Sequence, residues 1–93
     1  MTLTVSNIDD VVNILNSNEV MVLKFDNKNS KYDEYFNSLE FKTVNITDEE
    51  IIEFYEVDVL PTLLVYKNKN LIDSVQGYFT KSILLKKIQS ILN

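Results

Sequence analysis

The clearest structural signal in the chain lies in Val57-Asp-Val-Leu-Pro-Thr-Leu-Leu-Val-Tyr-Lys-Asn-Lys-Asn-Leu-Ile-Asp-Ser-Val-Gln-Gly77. Its only proline, Pro61, precedes a β-prone run at Thr62 to Tyr66, and a second such run follows at Leu71 to Val75. The polar residues Lys67 to Asn70 separate the two runs, and asparagine tolerates the positive φ of a tight turn. This pattern predicts an antiparallel β-hairpin with a rigid proline at its start and the chain's only glycine at its end.

Upstream of the hairpin, helical spacing alternates with strand-like runs. Ile8, Val11 and Leu15 fall on one face of a helix. Val20 to Phe25 is apolar except for Lys24, which is the pattern of a strand buried on both faces. The predicted elements are, in order, a strand at Leu3 to Val5, a helix after Ser6, a strand at Val20 to Phe25, a helix at Ser30 to Leu39, a strand at Phe41 to Ile46, a helix after Thr47, the hairpin, and a last helix after Thr80.

Short polar residues mark the expected helix ends. Ser6 followed by Asp9 has the spacing of a capping box at the first helix. Thr47 followed by Glu50 repeats that spacing at the third helix. Asn16 to Asn18 is expected to end the first helix, with an asparagine in the left-handed region.

The resulting order, β-α-β-α-β-α-β-β-α, predicts an α/β protein in which the first three strands are parallel and the hairpin is antiparallel. A chain of 93 residues is expected to form a single domain, residues 1–93.

The segment Leu60-Pro61-Thr62 and the hairpin after it resemble the thioredoxin family nearly position for position. The resemblance extends over the whole chain, although it is specific in the second half and weak in the middle. It implies a thioredoxin-like three-layer sandwich with a mixed sheet. It also implies a cis bond before Pro61, with the preceding backbone placed where the family pairs with an extended peptide or glutathione.

The chain departs from that family where the family's chemistry lies. It contains no cysteine, and the four residues at the Cys-x-x-Cys position run from Ser30 to Asp33. The resemblance places Lys24 at the family's buried relay acid and Asp26 at its tryptophan. A serine hydroxyl needs an activating base, and the chain has no histidine. The sequence therefore predicts a redox-inactive protein that is not an enzyme of the thiol–disulfide class.

Charge and composition exclude several classes of partner. Nine lysines against 14 acidic residues, with no arginine, give a net charge of −5, which argues against nucleic-acid binding. The lysines are scattered, which argues against an anionic membrane surface, and no apolar run is long enough to span a bilayer. The first residues lack the basic region and long apolar core of a signal peptide, so a cytoplasmic location is expected by default.

Acidic residues gather in two places without a metal-binding pattern. Asp33 and Glu34 could form an acid–base pair or bind a cation, but acids at the start of a helix more often complement its dipole. The acids Asp48 to Glu56 fall mostly on the solvated face of the third helix, and no calcium-binding loop motif is present. The sequence therefore predicts neither a metal site nor a cofactor.

The leading hypothesis is an adaptor that binds a protein or extended peptide through the former active-site groove. Ser30 and Asp33 are its degenerate motif positions. The residues expected to form the groove are Tyr32, Leu60, Pro61, Thr62, Gly77 and Tyr78.

Two alternatives remain open at this stage. One is a non-thiol enzyme that uses Asp26, Asp33 and Glu34. The other is a structural, homo-oligomeric domain that associates through the edge strand near Leu71 to Val75 or through the aromatic groove.

Overall fold

The computed structural model describes residues 2–5, 7–27, 32–36 and 42–93, and these contain five strands and four helices. Their alternation is the order that the sequence predicts. The elements are β1 (Thr2–Thr4), α1 (Ile8–Ser17), β2 (Val20–Phe25), α2 (Asp33–Phe36), β3 (Lys42–Ile46), α3 (Glu49–Phe54), β4 (Thr62–Lys67), β5 (Asn70–Gln76) and α4 (Lys81–Leu92).

The strands form one mixed sheet in the order β1-β3-β2-β4-β5. β3 is parallel to both β1 and β2, while β4 runs antiparallel to β2 and to β5. The predicted parallel first half and antiparallel hairpin are therefore confirmed. β2 lies at the centre of the sheet, which explains why its sequence is almost continuously apolar.

Helices cover both faces of the sheet, as expected for the predicted α/β sandwich. Because side chains alternate along a strand, Met21, Leu23 and Phe25 of β2 pack on one face with apolar residues of α1 and α3. Val22 lies on the opposite face, in a second cluster that includes Leu84 and residues of α2 and α4.

Helix ends were predicted at four places: Ser6, Asn16 to Asn18, Thr47 and Thr80. At the first three, the capping residue lies one position away or the backbone conformation differs from the prediction. The N-cap of α1 is Asn7, whose side chain accepts the N–H of Asp10, and Ser6 lies outside the described residues. Asn18 follows α1 in an extended conformation, not a left-handed one, and its side chain donates to the carbonyl of Ile14. These local choices follow from which side chain reaches a free backbone group, an N–H at the start of α1 and a carbonyl at its end.

At α3 the N-cap is Asp48 and not Thr47. The Asp48 carboxylate accepts the N–H groups of Glu50 and Ile51, and a charged acceptor satisfies helix N-terminal donors better than a hydroxyl. Thr80 caps α4 as predicted, with its hydroxyl accepting the N–H of Ile83.

The C-terminus of α3 closes with a left-handed residue. The N–H of Val57 donates to the carbonyl of Ile52, and the N–H of Glu56 donates to that of Glu53, which is the Schellman arrangement. The arrangement requires a positive φ at Glu56, which is 57°. Glycine is the residue best suited to that conformation, so glutamate is unusual here.

Two other positive φ values shape the hairpin. Asn68 (φ 52°) and Lys69 (φ 71°) form a two-residue turn between the paired residues Lys67 and Asn70. Positive φ at both positions is the type I′ geometry, whose twist matches that of the strands. Gly77 (φ 94°) ends the hairpin, and no atom lies within 4 Å of the place where a Cβ would be. Backbone conformation, and not crowding, therefore favours glycine there.

Candidate functional site

Three strand ends meet at one end of the sheet and form the candidate site. Phe25 at the end of β2 pairs with Thr62 at the start of β4, and Thr62 pairs with Gln76 at the end of β5. The residues just beyond these ends therefore come together from distant parts of the sequence. We call Asp26, Tyr32, Pro61, Gly77 and Tyr78 the strand-end cluster.

Tyr32 joins the cluster through its hydroxyl group. The hydroxyl donates to the carbonyl of Gly77 at 2.8 Å and accepts the N–H of Phe79. The N–H of Gly77 in turn donates to the carbonyl of Pro61 at 2.9 Å. Because these bonds connect the segment before α2 to the segments flanking β4 and β5, Tyr32 fixes the backbone around the candidate site.

Asp26 and Tyr78 form a second link across the cluster. The Tyr78 hydroxyl lies 3.1 Å and 3.3 Å from the two carboxylate oxygens of Asp26, to which it donates. Asp26 is buried, and its Oδ1 also accepts the N–H of Asn27. The ring of Tyr78 lies edge-on to that of Tyr32, with the ring centres 5.1 Å apart.

The environment of Tyr32 keeps its hydroxyl protonated. Burial raises the pKa of Tyr32 above its usual value, and the N–H donated by Phe79 opposes that rise by stabilising the phenolate. The neighbouring Tyr78, Tyr35 and Asp26 add to the rise in pKa. The hydroxyl is therefore a hydrogen-bonding group here and is poorly suited to act as a base near neutral pH.

Exposed apolar residues border the cluster on one side. Leu60 is 37% exposed and Val59 is 45% exposed, and the peptide bond between Leu60 and Pro61 is cis. The hydroxyl of Thr62 donates to the carbonyl of Val59, which holds this bend against the start of β4. Tyr78, 52% exposed, offers the largest open ring of the cluster.

One expectation about this surface is wrong. Tyr32 was expected to line the groove together with Pro61, yet Tyr32 is only 1% exposed and Pro61 is also buried. Their place in the second core cluster and at the sheet end removes them from solvent. Thr62, also expected in the groove, is 3% exposed, and Gly77 is half-buried. The exposed side chains at this surface are those of Val59, Leu60 and Tyr78, and of these the sequence analysis missed Val59.

The degenerate motif is described only in part. Ser30 lies outside the described residues, and Asp33 is the first residue of α2. Lys24, which the resemblance placed at the family's relay acid, is completely buried in β2 and interacts with another group of the protein. Its stem does not extend to solvent, as that of a lysine near a surface can.

The acids of the enzyme alternative have different environments. Asp26 is buried and bonded to Tyr78, whereas Glu34 is exposed on α2. Within residues 2–5, 7–27, 32–36 and 42–93, no three acidic side chains lie together as metal ligands would. No sequence pattern indicates the Asp26–Tyr78 contact, because 52 positions separate the two residues and only the sheet register brings them together.

Helices on both faces of this mixed sheet, with the hairpin at its edge, define the fold as thioredoxin-like. Over 99% of its length the chain matches a mutant thioredoxin from Halobacterium salinarum NRC-1, with a TM-score of 0.82, 16% identity and 91% of that chain covered. It matches the thioredoxin of Plasmodium falciparum with a TM-score of 0.80 and 18% identity, covering 95% of this chain and 97% of the other.

A third similar structure is the reduced thioredoxin of Schistosoma mansoni, with a TM-score of 0.77, 16% identity and 97% of both chains covered. No family model and no curated protein matches the sequence, so the similarity is one of fold. None of the helices within the described ranges has the length and apolar character needed to cross a membrane.

Proposed function

We propose that this protein is a redox-inactive thioredoxin-fold module that binds an extended segment of another protein beside Leu60. Thiol–disulfide exchange requires a thiolate to attack a disulfide, and the chain has no cysteine. The thioredoxin-like fold nevertheless includes the whole strand-end cluster. Binding a peptide requires this backbone geometry and does not require a thiol.

The proposal is carried by Leu60, which is 37% exposed and whose backbone groups have no partner within the described residues. No hydrogen bond joins the N–H or carbonyl of Leu60 to another described residue, although its neighbours are fixed through the carbonyl of Pro61 and the hydroxyl of Thr62. An exposed, rigid backbone with free hydrogen-bonding groups can add a peptide strand. Main-chain hydrogen bonds supply affinity in this mode, and nearby apolar side chains supply selectivity.

Val59, Leu60 and Tyr78 provide those apolar contacts. Tyrosine is favoured at such surfaces because its ring offers a large contact area at low conformational-entropy cost. The hydrogen bond from Tyr78 to Asp26 holds the ring beside the cluster, so little freedom is lost when a partner binds.

Selection of peptides from a random eight-residue display library tests the proposal. Each selected peptide should protect the N–H of Leu60 from hydrogen exchange and should bind more weakly to Leu60→Asp and Tyr78→Ala. Leu71→Asp is the matched control, because Leu71 is also exposed but lies on β5 near the turn. Selected peptides that bind all three variants as well as the native protein would rule out this surface.

Reduction of insulin by dithiothreitol tests the redox side of the proposal. The protein should not accelerate the reaction above the rate with dithiothreitol alone. Any turnover would show that disulfide exchange proceeds without a cysteine of this chain and would refute the inactive assignment.

Self-association is a second candidate function because β5 is an edge strand with two exposed apolar residues, Leu71 and Ile72. Exposed edges of this kind pair readily with another strand. Sedimentation velocity of the native protein and of Ile72→Lys distinguishes the cases. A dimer that dissociates in the variant supports this candidate, whereas a monomer over the same concentrations contradicts it.

A further inference from the structure

A groove of about 770 Å³ runs along α3, from its first residue to the segment that follows the helix, and ends beside Leu60. Leu60 is part of its wall, so the groove is continuous with the surface proposed to bind a peptide strand. We call it the acidic groove. Its lining residues are Glu49, Ile52, Glu53, Glu56, Val57, Asp58 and Leu60.

The groove combines an apolar floor with a negative rim. Ile52 and Val57 pack against the core and present half-buried side chains, while the four acidic residues Glu49, Glu53, Glu56 and Asp58 carry the charge. In the part of the chain that the structure describes, no lysine forms an ion pair with any of these four. Their charges are therefore available to a partner.

Glu56 keeps one of these charges at an unfavourable backbone position. A φ of 57° is destabilising for any residue with a Cβ and is not destabilising for glycine. The neighbouring Asp58 adds a second charge on the chain that leads from α3 to Leu60.

We propose that the peptide bound beside Leu60 continues into the acidic groove and carries lysine or arginine there. This inference rests on the proposed function. The aliphatic stem of a lysine or arginine packs on an apolar floor while its charged end meets the carboxylates. A second copy of the chain is a poor occupant, because each copy carries a net charge of −5.

The test uses three fluorescein-labelled ten-residue peptides that alternate valine with lysine, serine or glutamate. Fluorescence anisotropy measures affinity, and NMR follows the N–H of Leu60. The lysine peptide should bind about tenfold more tightly than the serine peptide, with the glutamate peptide weakest, and added salt should reduce the difference.

Charge-removing variants locate the effect. Glu53→Gln combined with Glu56→Gln should abolish most of the advantage of the lysine peptide. The matched control, Asp9→Asn with Glu19→Gln, removes the same charge from exposed residues outside the groove and should change affinity by less than about twofold. Circular dichroism checks that both double variants are folded.

Three other results would each overturn the inference of a basic partner. Equal affinities for the lysine and serine peptides, with a shifted Leu60 N–H, would refute the basic partner and leave the proposed function standing. An equal loss in the control variant would show that only net charge matters. If no peptide shifts the Leu60 N–H, the inference and the proposed function both fail.

Discussion

Tyr32 lies within the four residues that correspond by resemblance to the redox motif, and its role in this chain is structural. Its ring belongs to the core cluster beneath α2 and α4, and its hydroxyl joins Gly77 and Phe79 across the end of the sheet. At this position, which the resemblance placed within the redox motif, the chain therefore contributes a buried side chain that anchors the end of the sheet.

Replacing Tyr32 with phenylalanine should lower the free energy of unfolding by about 2 kcal/mol, because the N–H of Phe79 and the carbonyl of Gly77 lose a partner. Urea denaturation measures the change. Tyr55→Phe is the control, since the Tyr55 hydroxyl bonds to no other described residue, and it should shift stability by less than about 0.5 kcal/mol. Equal effects in the two variants would contradict the anchoring role.

At Glu56 the residue and the backbone conformation are in conflict. Glu56→Gly should raise the free energy of unfolding by about 1 kcal/mol, because glycine adopts a φ of 57° without the steric cost of a Cβ. Glu53→Gly removes the same charge one turn earlier, inside α3, and should lower stability by up to about 1 kcal/mol. Thermal unfolding of the two variants checks the opposite signs, and a loss in both would reject the explanation.

At the scale of elements, the hairpin was the most predictable part of the chain and the helix caps were the least. The hairpin depends on features that a sequence shows directly: a proline, two β-prone runs, asparagines and a glycine. The caps at Asn7 and Asp48 depend on which of two adjacent polar side chains reaches a free N–H. That choice involves distances of an ångström, which composition and spacing do not contain.

The turn of the hairpin can be improved in a defined direction. Lys69→Gly creates an Asn-Gly turn, the favoured pair for type I′ geometry, and should raise the free energy of unfolding by about 0.5–1 kcal/mol. Guanidinium chloride denaturation measures the gain. The control Lys67→Gly makes the same change at the last paired residue of β4 and should destabilise by a similar amount. A stabilising effect at both positions would contradict this account.

For the whole molecule, the sequence predicted the layers, the order of elements along the chain and the strand directions, but only part of the candidate site. Leu60 and Tyr78 could be proposed from the proline, the glycine and the family resemblance. The burial of Tyr32 and the Asp26–Tyr78 contact could not, because both depend on the register that aligns the ends of β2, β4 and β5. Long-range register is set by packing across the sheet and not by local spacing.

One buried and two half-buried tyrosines give the whole molecule a pH dependence at alkaline pH. Burial raises the pKa of Tyr32, Tyr55 and Tyr66 above the ordinary value of 10.0, with the nearby Tyr55 contributing at Tyr66. The unfolded chain therefore loses these protons first. The contribution of these tyrosines to stability is fully present below about pH 10 and should be lost as pH rises through the higher folded-state values.

Urea denaturation at a series of pH values from about 9 to 11.5 measures this fall. The double variant Tyr55→Phe with Tyr66→Phe should show a shallower decline than the native protein. Identical slopes would show that other groups cause the alkaline loss. The phenolate absorbance near 295 nm should also show its titration midpoint at a higher pH in the native protein than in the urea-unfolded protein. The total absorbance change should be about the same in both.

The short turn at Asn68 and Lys69 lies at the opposite end of β4 from Pro61. Six residues of strand separate the two, about 20 Å at the usual rise per residue. A fluorescent dye or an affinity tag inserted at that tip would report on the protein, or immobilise it on a sensor, without obstructing Leu60 or Tyr78. Surface-bound copies would then present the candidate binding surface outward, in one common orientation.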